Sequence, residues 1–454
     1  MATNKSDEIA WPNFPAYAVC VVSGRHVVVG GGGGAAKTGI LNQFELYELY
    51  HDGKKTKAER ILTHDVGDYC ISNMAGWANN STAARNTGAY NISLAIGQEE
   101  RCSILQMKPD RGIKSPRVEE NIPRMSKDGK DLGNVRQRRG DSKEEKDMKP
   151  PTPHSRREKR LRLNSVNETL RGEKIWTYDV EEIANVETVF KKEGLEDIYQ
   201  KCCRVFPDQK HLVTGGMDGY LRVWNLPNMK KIKEIKAHDK EIDDVDVKPD
   251  MKQIVSVSKP NRECCVFNVS DGKKFTQVCL QTNGVKYKCF RARYGKVENK
   301  QSQTRLFTIS NPVSGSKNPA IVAKWCGRSY KEEKTVRLQG TLSSLALTDD
   351  GRYLATGTMG GDIYILISFS LQQFRLIENA HSMFVTGLEW LPTKDKHSQM
   401  VRGFSDASVV SISCDNTVNI HHVPRQEMLP VWIVALIAAF VLFVTFVLAS
   451  YVGI

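Results

Sequence analysis

An apolar run is missing from the first fourteen residues, MATNKSDEIAWPNF, so no secretory signal peptide is expected. Zinc spacing is missing too: the eleven cysteines, among them the adjacent pairs Cys202-Cys203 and Cys264-Cys265, include no Cys-x2-Cys pair matched by histidines. No nucleophile stands in a recognisable dyad with a base, which argues against covalent catalysis. No base-reading motif accompanies the basic composition, formal net charge +13 and pI about 9.1, which argues against sequence-specific nucleic-acid recognition. From Val431 to Val452 charge itself is missing, in the run VWIVALIAAFVLFVTFVLASYV. At 1.5 Å per residue this run spans about 33 Å and matches a hydrocarbon core of about 30 Å, so a transmembrane helix is expected.

Pro430 and Trp432 would mark one interface of that helix and Tyr451 the other, with Gly453 and Ile454 beyond. An anchor so placed is inserted after synthesis. The expected division is therefore residues 1–428 in the cytosol, 431–452 in the bilayer and 453–454 as a lumenal tail. Cytosolic cysteines stay reduced, and those here read as core-filling. By the same topology the sequons at Asn80, Asn91, Asn167 and Asn268 read as unglycosylated.

Glycine, by contrast, is abundant in one place. Gly30, Gly31, Gly32, Gly33 and Gly34 follow the apolar Val27-Val28-Val29 and lead into Ala35-Ala36-Lys37-Thr38-Gly39-Ile40-Leu41-Asn42. Glycine in regular structure costs about 0.5–1 kcal/mol relative to alanine, so such a cluster implies conformations or approaches that Cβ atoms forbid. A phosphate-binding P-loop is one residue away, but Ala36 stands where its last glycine belongs. A P-loop also needs a helix after the Lys-Thr pair, to present amides to the phosphates. The segment after Asn42, with Phe44, Leu46 and Leu49 among Tyr47 and Tyr50, reads instead as a strand. A purely structural glycine hairpin and a loop presenting its backbone to a partner remain, the latter preferred.

Residues 108–174 hold 20 Lys and Arg against 12 Asp and Glu, a net of +8, with Pro150-Pro151-Thr152-Pro153 in the middle. This composition reads as a disordered insertion. Its cluster Arg156-Arg157-Glu158-Lys159-Arg160-Leu161-Arg162 resembles a nuclear-import or polyanion-binding run; a solvated loop near anionic head groups is the preferred reading.

The remaining roughly 360 residues repeat, at the spacing of four-stranded propeller blades. The clearest unit is HLVTGGMDGYLRVWNL from His211, followed by Ala237-His238-Asp239. Echoes start at Gln253, Tyr353 and Val409, and Ala380-His381 again precedes an apolar strand over 384–390. Leu212 and Ile254 lie 42 residues apart, within the roughly 40–45 of a WD-repeat blade. An all-β, seven-bladed WD-repeat propeller followed by one transmembrane helix is expected. Phe267 and Ile420 replace the blade tryptophan in two units, and Asp218, His238 and His381 read as structural hydrogen-bonding residues.

The residues Phe14-Pro15-Ala16-Tyr17, the run from Gly30 through Gly39-Ile40 to Asn42, His64-Asp65, Gly215-Gly216-Met217-Asp218-Gly219, Val223-Trp224, Ala380-His381 and Pro430-Val431-Trp432 carry a further likeness. With them the chain resembles the family of endoplasmic-reticulum membrane exchange factors that load GTP onto the small GTPase of the COPII coat, the prolactin regulatory element-binding protein family. The resemblance implies guanine-nucleotide exchange without covalent chemistry, at the endoplasmic reticulum membrane, with the propeller facing the cytosol. It implies a potassium ion in the glycine loop, with Asn42 as side-chain ligand and Gly31, Gly32, Gly33, Gly34 and Gly39 supplying carbonyls. Ile40 would be the working tip and, with Asn42, would open the GTPase. Potassium does favour rings of uncharged oxygens, which bare backbone supplies. The rival readings are a non-catalytic membrane-anchored propeller scaffold and a DNA-binding transcriptional regulator.

Overall fold

The computed structural model describes residues 6–36, 39–78, 90–113, 174–191, 198–282, 284–298, 300–313, 318–425 and 431–452. Lys37-Thr38, the sequons at Asn80 and Asn167, the basic cluster at Arg156, Pro430 and the tail 453–454 lie outside them. The stretch Asp110–Thr177 is a unit separate from the rest, described only near its two ends, where Thr177 Oγ1 donates to the Asp110 carbonyl at 3.4 Å.

The repeats fold into seven four-stranded antiparallel sheets, the expected seven blades. The first strand, β1 (Ser6–Ala10), joins the last of them. Blade 1 is β2 (Ala16–Val21), β3 (His26–Gly31), β4 (Gln43–His51) and β5 (Thr56–Asp65). Blade 2 is β6 (Asn73–Ala78), β7 (Ile92–Gln98), β8 (Arg101–Ile113) and β9 (Lys174–Glu187), the basic segment lying between its last two strands. Blade 3 is β10 (Gln200–Val205), β11 (His211–Gly216), β12 (Tyr220–Asn225) and β13 (Lys230–Lys236). Blade 4 is β14 (Asp244–Val247), β15 (Gln253–Ser258), β16 (Glu263–Asn268) and β17 (Lys274–Gln277). Blade 5 is β18 (Tyr287–Val297), β19 (Lys300–Pro312), β20 (Ala320–Cys326) and β21 (Glu332–Leu338). Blade 6 is β22 (Leu342–Leu347), β23 (Tyr353–Thr358), β24 (Ile363–Ile367) and β25 (Gln372–Ile377). Blade 7 is β26 (Val385–Trp390), β27 (Ser405–Ser413) and β28 (Val418–Pro424), completed by β1 through the pairs Ser6 with His421 and Asp7 with Ile420.

Burial explains why period-two alternation fades in the middle strands. All six residues of β15, QIVSVS, are buried, because a neighbouring blade packs on each face; in the outermost β13, KKIKEIK, Lys230, Lys231 and Lys236 stay in water. The core lies between blades: Val213, Leu221 and Val223 of blade 3 cluster with Val245, Ile254 and Phe267 of blade 4. Each such side chain contributes about 1.5–3 kcal/mol on burial. Lysines on the outer strands also block edge-to-edge pairing.

Antiparallel pairing places the connections at two ends of the ring. One end gathers the links between second and third strands and those from blade to blade. The other gathers the links between first and second strands and between third and fourth. The glycine loop, between β3 and β4, belongs to the first end; β28 finishes at the second.

There α1 (Lys396–Arg402), capped by the Asp395 carboxylate on the amides of His397 and Ser398, lies between β26 and β27. The last element is α2 (Val431–Val452), whose side chains are described at 436–448 and 451 and are exposed. Among the residues described with their side chains, no helix is long and apolar enough to cross a membrane. All seven sheets close between Ser6 and Pro424, and among the described residues no buried cluster draws one from α2, so the sheets of the propeller are complete without it.

All eleven cysteines are free thiols. The reading of all of them as core-filling needs correction. Cys20, Cys102, Cys202, Cys203, Cys264 and Cys265 are buried, but Cys279 is exposed and Cys70, Cys289, Cys326 and Cys414 are half-buried, because most of these sit at strand ends or in connections.

Candidate functional site

The strand ahead of the loop takes two of its glycines. Gly30 pairs with Phe44, and Gly31 is held between Ala16 of β2 and Gln43 of β4, so both belong to β3. The chain leaves the sheet at Gly32, whose amide donates to the Pro15 carbonyl at 3.3 Å. At Gly32 φ is +145°, and a Cβ there would lie 2.2 Å from Asn42 Oδ1. Only glycine lets the two ends of the loop approach this closely. At Gly39 φ is +80°, a left-handed turn that sends the chain back toward β4 through Ile40 and Leu41.

Asn42 is buried and clasps the loop from below. Its Oδ1 accepts from the Gly34 amide at 2.8 Å, while Nδ2 donates to the carbonyls of Gly34 at 3.3 Å and Gly67 at 3.0 Å. Its backbone carbonyl accepts from the Val66 amide at 2.9 Å. The second anchor is therefore the β5–β6 connection, itself fixed by Asp65 Oδ1 accepting from the Gly67 amide at 2.8 Å. Gln98 of β7 ties that connection to blade 2, donating to the carbonyls of Tyr69 at 2.6 Å and Val66 at 3.2 Å.

Above this clasp the apolar side chains face water: Ile40 is 38% exposed and Leu41 58%. An exposed aliphatic pair on a loop with buried polar anchorage is preorganised for contact rather than for proton transfer. The only titratable side chain between Gly32 and Asn42 is Lys37, which lies outside the described residues. Next to the loop, the His64 ring packs on Phe44 at 5.2 Å, and burial lowers its pKa.

The oxygens around Asn42 suit a large monovalent cation in kind. Gly34 O and Gly67 O, both uncharged, converge on one side-chain amide, and the nearby Asp65 carboxylate is already engaged by the Gly67 amide. It is Nδ2 that faces those carbonyls, whereas Oδ1 accepts from Gly34. Gly31 sits in the ladder rather than in the loop. Gly67, Val66 and Gln98 escaped sequence reasoning; the His64-Asp65 pair two residues before Gly67 was the available signal.

The chain enters β4 directly after the loop, so the strand reading holds and the helix that a P-loop requires is replaced by a strand. The blade motifs are structural, as expected. His238 lies 2.8 Å from both Glu263 and Ser256, and His381 lies 2.8 Å from Thr417 and 2.7 Å from Ser411. Asp218 pairs with buried Arg222 at 2.7 Å, and Trp224 Nε1 donates to Thr214 at 2.9 Å.

The family model described as WD domain, G-beta repeat, matches residues 197–225, the second half of which is the hairpin β11–β12. A curated mouse protein, "Guanine nucleotide-exchange factor SEC12" of Mus musculus, is 27% identical over 463 residues, covering 99% of this chain and 98% of its own length. The Rattus norvegicus protein of the same name is 27% identical over 99% of this chain and 98% of its own. "SEC12-like protein 2" of Arabidopsis thaliana is 25% identical over 200 residues, 44% of this chain and 48% of its own length. With seven four-stranded blades and a likeness that runs from end to end, the chain is similar over its whole length to the SEC12 guanine nucleotide-exchange factors of mouse and rat.

Proposed function

We propose that this chain is a guanine-nucleotide exchange factor for a small GTPase, that of the COPII coat at the endoplasmic reticulum, acting through the loop between β3 and β4. The observation that carries the reading is the pairing of an exposed Ile40-Leu41 tip with a buried Asn42 clasp. Exchange needs no covalent step. A surface that binds the nucleotide-free GTPase more tightly than the GDP-bound one lowers nucleotide affinity by the same factor, each 1.4 kcal/mol of difference giving about tenfold. In this reading Ile40 and Leu41 enter the GTPase beside its nucleotide, and Asn42 with Gly34 and Gly67 keeps the loop from yielding.

Potassium is part of the proposal. The carbonyls of Gly34 and Gly67, with the backbone of Gly32, Gly33 and Gly39, would hold it, and Asn42 would have to offer Oδ1 in place of the Nδ2 that faces those two carbonyls here. When bound, it would supply a fixed positive centre that stiffens the loop. The charge-free α2 is proposed as a single membrane span at 431–452, which would hold the propeller at the cytosolic face. The test is GDP release from the COPII GTPase with residues 1–428 added. Acceleration supports exchange; no acceleration leaves a membrane-anchored scaffold as the better account.

A further inference from the structure

Three features lie outside the glycine loop. His238, Glu263 and Cys265 bring their ligand atoms within 4.8 Å of one another, but the imidazole is already engaged on both nitrogens and Lys274 interacts with the Cys265 thiol. In the charged central channel, lined by Lys201, Arg204, Arg293 and Glu389 among others, Lys201 is already paired with Asp243 and Arg293 with Asp244. The end of the ring opposite the loop shows something these lack, large apolar side chains held in water.

Phe404 is 100% exposed, Phe369 76% and Met400 71%. Phe404 and Met400 belong to the connection between β26 and β27, and Phe369 to that between β24 and β25, so all three sit at the same end of the ring. The first and second strands of blades 6 and 7 are linked there, Asp349 accepting from the Thr393 amide at 3.0 Å. The chain also leaves the propeller at this place. Ser405 is the register partner of Pro424, so Phe404 lies at the strand end from which Arg425 continues toward α2.

Charge at this end is sorted by sign. The acids are occupied within the fold: Asp395 caps α1, Asp406 pairs with Arg352 at 2.8 Å, and Asp349 holds Thr393. Lys394, Lys396 and Arg425 are exposed and are drawn into no ion pair among the described residues. Exposed rings and thioethers among uncommitted cations match the interface of an anionic bilayer, where apolar groups enter the head-group boundary and cations meet lipid phosphate.

We propose that this end of the propeller is a second membrane contact, in which Phe404, Met400 and Phe369 enter an anionic lipid surface and Lys394, Lys396 and Arg425 pair with its head groups. The proposal rests on α2 being a membrane span. Five residues separate Arg425 from Val431, a reach of about 20 Å, so a spanning α2 holds this face beside the bilayer at high local concentration. The contact then orients the ring, with the Ile40-Leu41 loop on the end facing away from the lipid.

The test uses residues 1–428, which contain the complete propeller and lack α2, in sedimentation with vesicles of phosphatidylcholine alone and with phosphatidylserine added. Binding to the anionic vesicles that weakens with salt, and that falls at least tenfold in the Phe404→Ser/Phe369→Ser double variant and in Lys394→Glu/Lys396→Glu, is the expected result. An unchanged melting temperature shows that the variants are folded. Absence of binding overturns the proposal, and so does a double variant that binds like the parent, because the basic segment 108–174 would then carry the attraction. Alkaline extraction of the full chain tests the span separately: release into the supernatant sinks the span, whatever the vesicles show.

Discussion

Asn42 and Ile40 are neighbours in the loop with opposite physical roles, and substitution separates them. Asn42→Ala leaves the Gly34 amide and the Gly67 carbonyl without their partner, at a cost of about 1–3 kcal/mol each if they stay dry. It is expected to lower the melting temperature and abolish exchange together. Ile40→Ala removes a surface side chain, where substitutions cost within about 0.5 kcal/mol, so the melting temperature should hold while exchange drops by at least tenfold. An Ile40→Ala protein with full exchange activity would remove the loop tip from the mechanism. At this scale the sequence was legible where backbone needs are extreme: the glycine run marked the loop, while Asn42 was singled out only through the family resemblance. Gly67 and Gln98 were hidden because they reach Asn42 and its neighbours only through the packing of separate strands, which spacing does not record.

Among elements, β1 and β28 make the seam that closes the ring, and its polar lock is His421. Its Nε2 lies 2.8 Å from Ser411 and its Nδ1 2.8 Å from Ser6 of β1. Burial lowers its pKa to about 3, as it does for His26 in β3. The folded pKa lies below the unfolded value near 6.5, so these groups are neutral in the fold. Their contribution is fully present above pH of about 6.5 and is lost as pH falls toward about 3, with stability declining by up to 1.4 kcal/mol per group and pH unit. Denaturant midpoints should therefore drop between pH 7 and pH 5, with early amide exchange at Asp7 and Glu8; a seam equally protected at both values would contradict this. The blade hairpins were readable from paired turns such as Met217-Asp218-Gly219. The β1–β28 closure joins residues more than 400 positions apart, and no local pattern announces it.

At the scale of the whole molecule, the two ends of the propeller divide the work. One end exposes Ile40 and Leu41, the tip proposed to meet a GTPase; the other gives rise to the chain toward α2 and carries Phe404, Phe369 and Met400. The number of blades followed from roughly 360 residues at somewhat more than the 42-residue spacing of the clearest pair, the loops being enlarged, because each blade is one repeat. Which end faces which partner did not follow, since it depends on strand direction in the closed ring. The loop between β3 and β4 is proposed to expel nucleotide, with potassium stiffening it. This is tested most directly by following labelled-GDP release from the purified COPII GTPase with residues 1–428, and with their Asn42→Ala variant, in potassium and in sodium buffer. Strong acceleration in potassium, weaker acceleration in sodium and none with Asn42→Ala is expected; a variant as active as the parent, with both indifferent to the cation, would contradict the loop mechanism.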